Sequence, residues 1–574
     1  MDKRTDHAEK PSGQRLTRRR FLGAGPAALL VAGVSGAAAD AAGFRAPAPP
    51  ARAWTEGSFE LEEITVGELQ DGMKSGKFTA RSLTEMYLAR IEKIDRPHPA
   101  KASAGSRAAE EARPGVNALI EVNPEALRIA EEMDRERRTR GPRGPMHGIP
   151  VLIKDNIATA DRMMTTAGSL ALVGAKPPRD SFVAKRLREA GAVILGKTNL
   201  SEWANIRSEH STSGWSGRGG LTRNPYALDR NACGSSSGSG AGASANFCAL
   251  AIGTETDGSV VCPSSINGLV GIKPTVGLVS RSGIIPISHS QDTAGPMART
   301  VTDAAILLGV MARIDPDDKI TAESQGEAQP DYTRFLDPNG LKGARLGVAR
   351  KFFGFNEAVD KLMEEALAEM KRQGAVLVDP ADIPSMGKFG KTEFTVLVYE
   401  LKADLNAYLA TLGPGAPVHT LEEIIEFNKK NSDREMPYFG QDTFEKAQEK
   451  GPLTEKEYLD ALDNNHKQAR QEGIDAVMDK FQLDALVAPT AGPAFMTDLV
   501  NGDHDTGGSS SPAAVAGYPD ITVPAGFVFG LPVGISFFGR AYSEPTLLKV
   551  AYAFEQATKA RRPPKFLQTI ELRV

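Results

Sequence analysis

The chain has 574 residues, 41% hydrophobic and 24% charged, with 68 Lys and Arg against 72 Asp and Glu for a formal charge of −4. That is enough apolar material for a large core, and it excludes a compositionally disordered chain. The near balance of charge argues against a nucleic-acid partner, which ordinarily demands a basic excess to displace counterions from phosphates; neutral or mixed small ligands remain. Three cysteines, Cys233, Cys248 and Cys262, are too few for a disulfide scaffold and lack zinc-site spacing. They read as small packing residues or at most one incidental pair.

Residues 1–20 carry seven Lys or Arg, and Thr17-Arg18-Arg19-Arg20-Phe21-Leu22 opens a weakly apolar run, Gly23 to Ala39, that ends in Ala37-Ala38-Ala39. Residues 1–39 resemble a twin-arginine export signal, which predicts a periplasmic or secreted product and the twin-arginine translocation machinery as a partner. Pro26 and the many Gly and Ala make this run a poor permanent membrane span. Residues 40–57, rich in Ala and Pro, read as a linker, and 58–574 as one oversized domain without a second composition shift or internal repeat.

Helices lead that domain. Thr65-Val66-Gly67-Glu68 is a capping box, and Leu83, Tyr87, Ile91 and Ile94 recur at helical spacing. Short apolar runs then alternate with helical stretches: Ile149 to Ile153, the helix Asp180 to Ala190 closed by Gly191, Ala192 to Leu195, and Ala249 to Gly253. The alternation predicts an α/β body with a mostly parallel, buried sheet. Residues 395–480, with Leu401, Leu405, Leu409, Ile424, Ile425 and Phe427, read as a mainly helical insertion that walls a site.

Two motifs mislead. Gly191 to Thr198 formally fits a P-loop, but its spacer Ala-Val-Ile-Leu reads as a strand preceded by a helix, whereas a P-loop runs strand, loop, helix. Gly234-Ser235-Ser236-Ser237-Gly238 formally fits a nucleophile elbow centred on Ser236. The polar residues 226–233 make a poor strand to feed such an elbow, and none of the eight histidines announces itself as a partner. Asp503-His504-Asp505 reads as a Gly/Ser-rich loop rather than a metal site. His147 and His289 read as turn or packing residues, Asp292 as a structural acceptor, and Phe527, Phe529, Phe537 and Phe538 as core.

The informative constellation is Lys154, the Gly/Ser segment 234–240 and the turn Gly253 to Pro263. Lys154 follows one apolar strand and Ser259 lies beyond another, so both emerge at carboxyl ends of strands, where open α/β sheets place their sites. A lysine desolvated there would favour its neutral form and act as a base. Successive amides around Asp257, Gly258 and Ser259 could form an oxyanion nest.

Together these residues resemble the amidase signature family, over nearly the whole body from Phe59 onward and most specifically from Cys233 to Pro296. The segments Thr254 to Pro263, Asn267 to Ser280, Ser290 to Met297 and Ser201-Glu-Trp-Ala-Asn205 look closest to its bacterial peptide amidases. The resemblance implies a single large α/β domain, a mixed sheet of about eleven strands covered by helices, with no metal or organic cofactor. It implies Ser259 as nucleophile, Ser235 as the middle member held by a cis peptide, and Lys154 as the base. It further implies Thr256, Asp257, Gly258 and Ser259 as the oxyanion hole, and Asn205 at a substrate-facing position.

Cys233 and Asp257 depart from the family pattern, since many members carry Gly at each, and Asp257 is expected to tolerate left-handed backbone there. The expected activity is hydrolysis of linear amides through a serine acyl-enzyme, with peptide amides or peptide-like carboxamides favoured. Aryl acylamides or lactam oligomers are the alternative within the family, and an exported solute-binding protein is the alternative outside it.

Overall fold

A computed structural model describes residues 59–96, 115–504 and 507–570; the expected export signal and linker, and Asp505, lie outside them. The capping box forms at the start of the first helix, Val66–Ser75. Glu68 N–H donates to the Thr65 hydroxyl, the Glu68 carboxylate accepts from Thr65 N–H at 2.8 Å, and left-handed Gly76 ends the helix. The next helix, Ala80–Ile94, buries the four apolar residues that its spacing predicts.

The strands are β1 (Leu119–Val122), β2 (Pro150–Lys154), β3 (Val193–Thr198), β4 (Trp215–Ser216), β5 (Gly220–Leu221), β6 (Leu250–Glu255), β7 (Val270–Lys273), β8 (Thr293–Ala298), β9 (Arg345–Val348), β10 (Val376–Val378), β11 (Ala485–Pro489), β12 (Asp520–Val528) and β13 (Leu531–Phe538). All but the β4 and β5 ribbon join one eleven-stranded sheet in the order β1, β3, β2, β6, β8, β7, β12, β13, β11, β9, β10.

The sheet is mixed, which corrects the mostly parallel arrangement read from the alternation. β2 runs parallel to β3 and β6, and β9 parallel to β10 and β11, while the other neighbours in the sheet are antiparallel. β2, β3, β6 and β8 are buried along their whole length. A strand covered on both faces loses the apolar/polar alternation, and with it the local mark of an antiparallel partner. The β12–β13 hairpin turns through Phe529 (φ 50°) and Gly530 (φ 79°). Phe529 therefore stands 62% exposed at the turn rather than in the core, where Phe537 and Phe538 are buried.

The misleading P-loop is the buried strand β3, whose Lys197 donates to Ile157 O at 2.6 Å and Thr165 Oγ1 at 2.7 Å. The insertion begins with the long helix Gly390–Thr411 and continues through shorter helices to Phe481. Leu401, Leu405, Leu409, Ile424 and Ile425 pack with Leu172 and Trp203 in a core of their own. Each such buried leucine contributes about 1.5–3 kcal/mol, so this seam fastens the insertion beside the segment that carries Asn205.

Candidate active site

Because β2 and β6 are parallel neighbours, with Ile153 opposite Ile252, they end at the same edge of the sheet. Lys154 is the last residue of β2, and β6 runs out through Glu255 into the turn that holds Ser259. The third part arrives from the helix Ser237–Ser244. Its small, wholly buried residues let the backbone approach the sheet, where a Cβ on Gly238 would stand 2.2 Å from Ala118 O.

Lys154 is completely buried. Its Nζ lies 2.7 Å from Ser235 Oγ, 3.0 Å from Ser236 Oγ, 3.1 Å from Thr254 O and 3.0 Å from Thr254 Oγ1. Burial pulls its pKa down to about 7, against the opposing charges of Asp292 and Glu255. The Gly234–Ser235 peptide is cis, as the resemblance implies.

Ser236, the elbow candidate, is buried. Its hydroxyl donates to Thr254 O at 3.0 Å and accepts from Thr254 N–H at 3.2 Å, so it braces the floor. Ser259 reaches this group through its backbone, its carbonyl accepting from Ser236 N–H at 3.2 Å. Its hydroxyl has no hydrogen bond to Ser235 among the described residues.

The turn carrying Ser259 is tied by a residue that the sequence did not single out. The Glu255 carboxylate accepts from the amides of Gly258 at 3.0 Å, Val260 at 2.6 Å and Val261 at 3.0 Å. Gly258 N–H, one of the four expected oxyanion donors, is therefore bonded to Glu255 in this structure. The left-handed residue of this turn is Gly258 (φ 77°), not Asp257. Asp257 instead accepts from Ser510 Oγ at 2.5 Å and Ser511 Oγ at 2.6 Å, holding the loop across the cleft. Nearby Glu393 is pushed well above the usual carboxylate range by burial and by the Asp257 charge.

Thr256 Oγ1 donates to Asp292 at 2.6 Å, and Asp292 also accepts from the amides of Ile287 and Ser288. It is the structural acceptor expected, and burial raises its pKa to about 6. A cavity on the serine side is lined by Asn205, Cys233, Gly234, Asp257, Gly258 and Cys262 among others. Asn205 thus lines the same space as both serine-bearing turns, and its Oδ1 accepts from Ser211 Oγ at 2.8 Å. Trp203, Ala204 and Asn205 are consecutive non-glycine residues in left-handed backbone. Buried Arg207 steadies this stretch through Glu202 and the Glu435 carbonyl.

Cys233 and Cys262 form a disulfide, while Cys248 is free and buried. The incidental pair therefore exists, and it lies at the site. His289, Glu400 and Asp404 converge beside a second cavity. Their oxygens serve the fold: Glu400 accepts from Ser288 Oγ at 2.5 Å and Tyr458 OH at 2.7 Å, and Asp404 from His289 N–H at 2.9 Å. His147 bonds Met133 O from a buried position.

A serine-rich turn and a buried lysine thus meet where β2 and β6 end in a mixed α/β sheet, the framework of an amide hydrolase. The Amidase family model matches residues 102–548. The chain belongs to that family, whose chemistry is the hydrolysis of amides. It is 50% identical to the solved peptide amidase of Stenotrophomonas maltophilia, with a TM-score of 0.81, covering 89% of this chain and 100% of that one. It is 41% identical over 520 residues to a probable amidase of Arabidopsis thaliana (89% of this chain, 93% of the relative). It is 37% identical to a solved amidase family protein of Bacillus anthracis, with a TM-score of 0.77, covering 88% of this chain and 93% of that one.

Proposed function

We propose that the protein hydrolyses linear amides, above all peptide amides or peptide-like carboxamides, through an acyl-enzyme on Ser259. The observation that carries this reading is the buried Lys154 amine 2.7 Å from Ser235 Oγ. Neutral Lys154 takes the proton of Ser235, which takes that of Ser259 as its oxygen attacks the amide carbonyl. The same chain returns a proton to the departing ammonia or amine, and water then repeats the path to release the acid.

With Gly258 engaged by Glu255, the amides of Thr256, Asp257 and Ser259 are the donors for the oxyanion, each worth about 3–4 kcal/mol in such sites. Asn205 meets the substrate from the cavity wall. The 50% identity to a peptide amidase supports the peptide-amide class over aryl acylamides and lactam oligomers.

Export by the twin-arginine route into the periplasm or beyond is part of the proposal. It is supported by the arginine-rich residues 1–22 and by the disulfide, a bond that persists in oxidising compartments. Fluorophosphonate labelling with peptide mapping, alongside ammonia release from peptide amides, aryl amides and simple carboxamides, tests the reading. Modification at Ser259, and loss of both turnover and labelling in Ser259→Ala, is expected. An unlabelled protein that binds peptide amides without turnover would instead be a solute-binding protein.

A further inference from the structure

The two serines share one small ring. Cys233 stands two residues before Ser235 and Cys262 three after Ser259, and their sulfurs are bonded. At the other end Ser236 N–H donates to Ser259 O at 3.2 Å. Residues 233–236 and 259–262 therefore form a closed loop, covalent at one end and hydrogen-bonded at the other, that contains both proposed reacting hydroxyls.

Each half of the ring is anchored separately. Cys233 N–H donates to Asn231 Oδ1 at 2.7 Å and Ser201 N–H to Ser235 O at 3.1 Å. Glu255 gathers the Ser259 turn. At the cysteine end the halves are joined covalently by the S–S bond, and by Asn267, whose amide donates to Ala232 O at 2.9 Å and Pro263 O at 2.8 Å. Cys233 also sits at φ 54°, a backbone region costly for a residue with a Cβ and free for glycine. Both half-cystines line the cavity shared with Asn205, Asp257 and Gly258, so the bond forms part of the wall the substrate would meet and is open to a small reductant.

We propose that the Cys233–Cys262 disulfide sets the spacing of Ser235 and Ser259, making the two cysteines positioning residues for the proton relay. This rests on the functional reading above. With the bond cut, hydrogen bonds alone hold the halves in register, from Ser236 to Ser259 O and Thr254 and from Asn267 to Ala232 O and Pro263 O, and an ångström of slack in a reacting pair costs about 100-fold in rate.

The test compares native protein with protein reduced by tris(2-carboxyethyl)phosphine, and with the variants Cys233→Gly and Cys262→Ala. In the reduction the S–S bond gives two thiols, with protons from water, as the phosphine takes the water oxygen to become its oxide. Denatured-state thiol titration counts the change. Expected are a fall in kcat of about 10- to 100-fold with KM within about twofold, a parallel slowing of fluorophosphonate labelling at Ser259, and recovery of both when reduced native protein is reoxidised. Tm should drop only about 3–5 °C, because one cross-link is a small part of so large a domain.

Reduced protein and Cys233→Gly that keep kcat within about twofold of native overturn the clamp. So does a rise in KM at unchanged kcat, which would make the disulfide a binding wall only. Native protein that neither turns over amides nor labels sinks the functional reading and the clamp together, whereas full activity after reduction sinks the clamp alone.

Discussion

Lys154 Nζ lies 2.7 Å from Ser235 Oγ and 3.1 Å from the Thr254 carbonyl, with both Lys154 and Ser235 buried. The carbonyl can only accept, so one amine proton is committed to it. A neutral amine has two protons and a lone pair, which fits donation to Thr254 and Ser236 and acceptance from the Ser235 hydroxyl. An ammonium would have to turn a proton toward Ser235 and could not take one from it. The geometry thus suits a base, provided the amine is uncharged.

That condition sets a pH profile. Burial holds the Lys154 pKa at about 7, so kcat/KM for an uncharged peptide amide should fall about tenfold per unit below pH 7 and level off above it. Initial rates from pH 5.5 to 9 check this. A flat profile down to pH 5.5 would remove Lys154 from the role of base.

The same shift is a statement about stability. The folded pKa lies below the unfolded value of 10.5, so the folded state holds fewer protons between about pH 7 and pH 10.5. The cost of burying the amine is complete below pH 7 and fades as the pH rises toward 10.5. Lys154→Met removes that cost. The variant should lose about 10²- to 10⁴-fold in kcat while melting no lower than native at pH 6, its advantage shrinking toward pH 10. Melting curves at the two pH values decide it, and a large loss of Tm at pH 6 would show that the amine is a structural cation.

Glu255 supports a separate expectation. Its two oxygens accept three amides from the Ser259 turn. Glu255→Gln keeps the size but turns one acceptor into a donor facing N–H groups. The buried mismatch should cost about 1–3 kcal/mol of stability, and kcat should fall as the turn relaxes while KM changes little. Denaturant titration and steady-state kinetics read the two effects, and unchanged kcat would show that the turn is held without Glu255.

What could be read from the sequence follows from range. The capping box at Thr65, the helical stripe through Tyr87 and the strand ending at Lys154 are written in residues a few positions apart. The strand ends pointed to Lys154 and Ser259, whereas the meeting of Lys154 with Ser235, which precedes the helix Ser237–Ser244, was legible only through the family resemblance. Strand direction was not legible, because β6 and β8 are buried on both faces and carry no alternation. Glu255 was missed because a glutamate ending an apolar strand looks like its solvated end, and only the fold turns three amides onto it. Asp257 was misread as a left-handed residue because its partners Ser510 and Ser511 lie 253 and 254 positions away. The disulfide stayed an open alternative because two cysteines 29 residues apart pair only once β6 carries Ser259 back beside Gly234.

Gly253 tests how tightly the floor is built. It lies on β6 directly below the turn, and a Cβ there would stand 2.6 Å from Ser236 Oγ and 2.9 Å from both Ser236 Cβ and Met297 Sδ. Ser236 cannot swing clear without losing its bonds to Lys154 and Thr254, and Met297 is held within β8. Gly253→Ala should therefore cost about 1–3 kcal/mol through overpacking, and kcat should fall because displacing Ser236 moves the amine relative to Ser235. Gly390→Ala is the control: it starts the long insertion helix, and its Cβ would meet nothing within 4 Å. Kinetics and melting of both variants should show the loss at Gly253 alone. Native kcat in Gly253→Ala would mean that the serine and lysine group tolerates movement of its own floor.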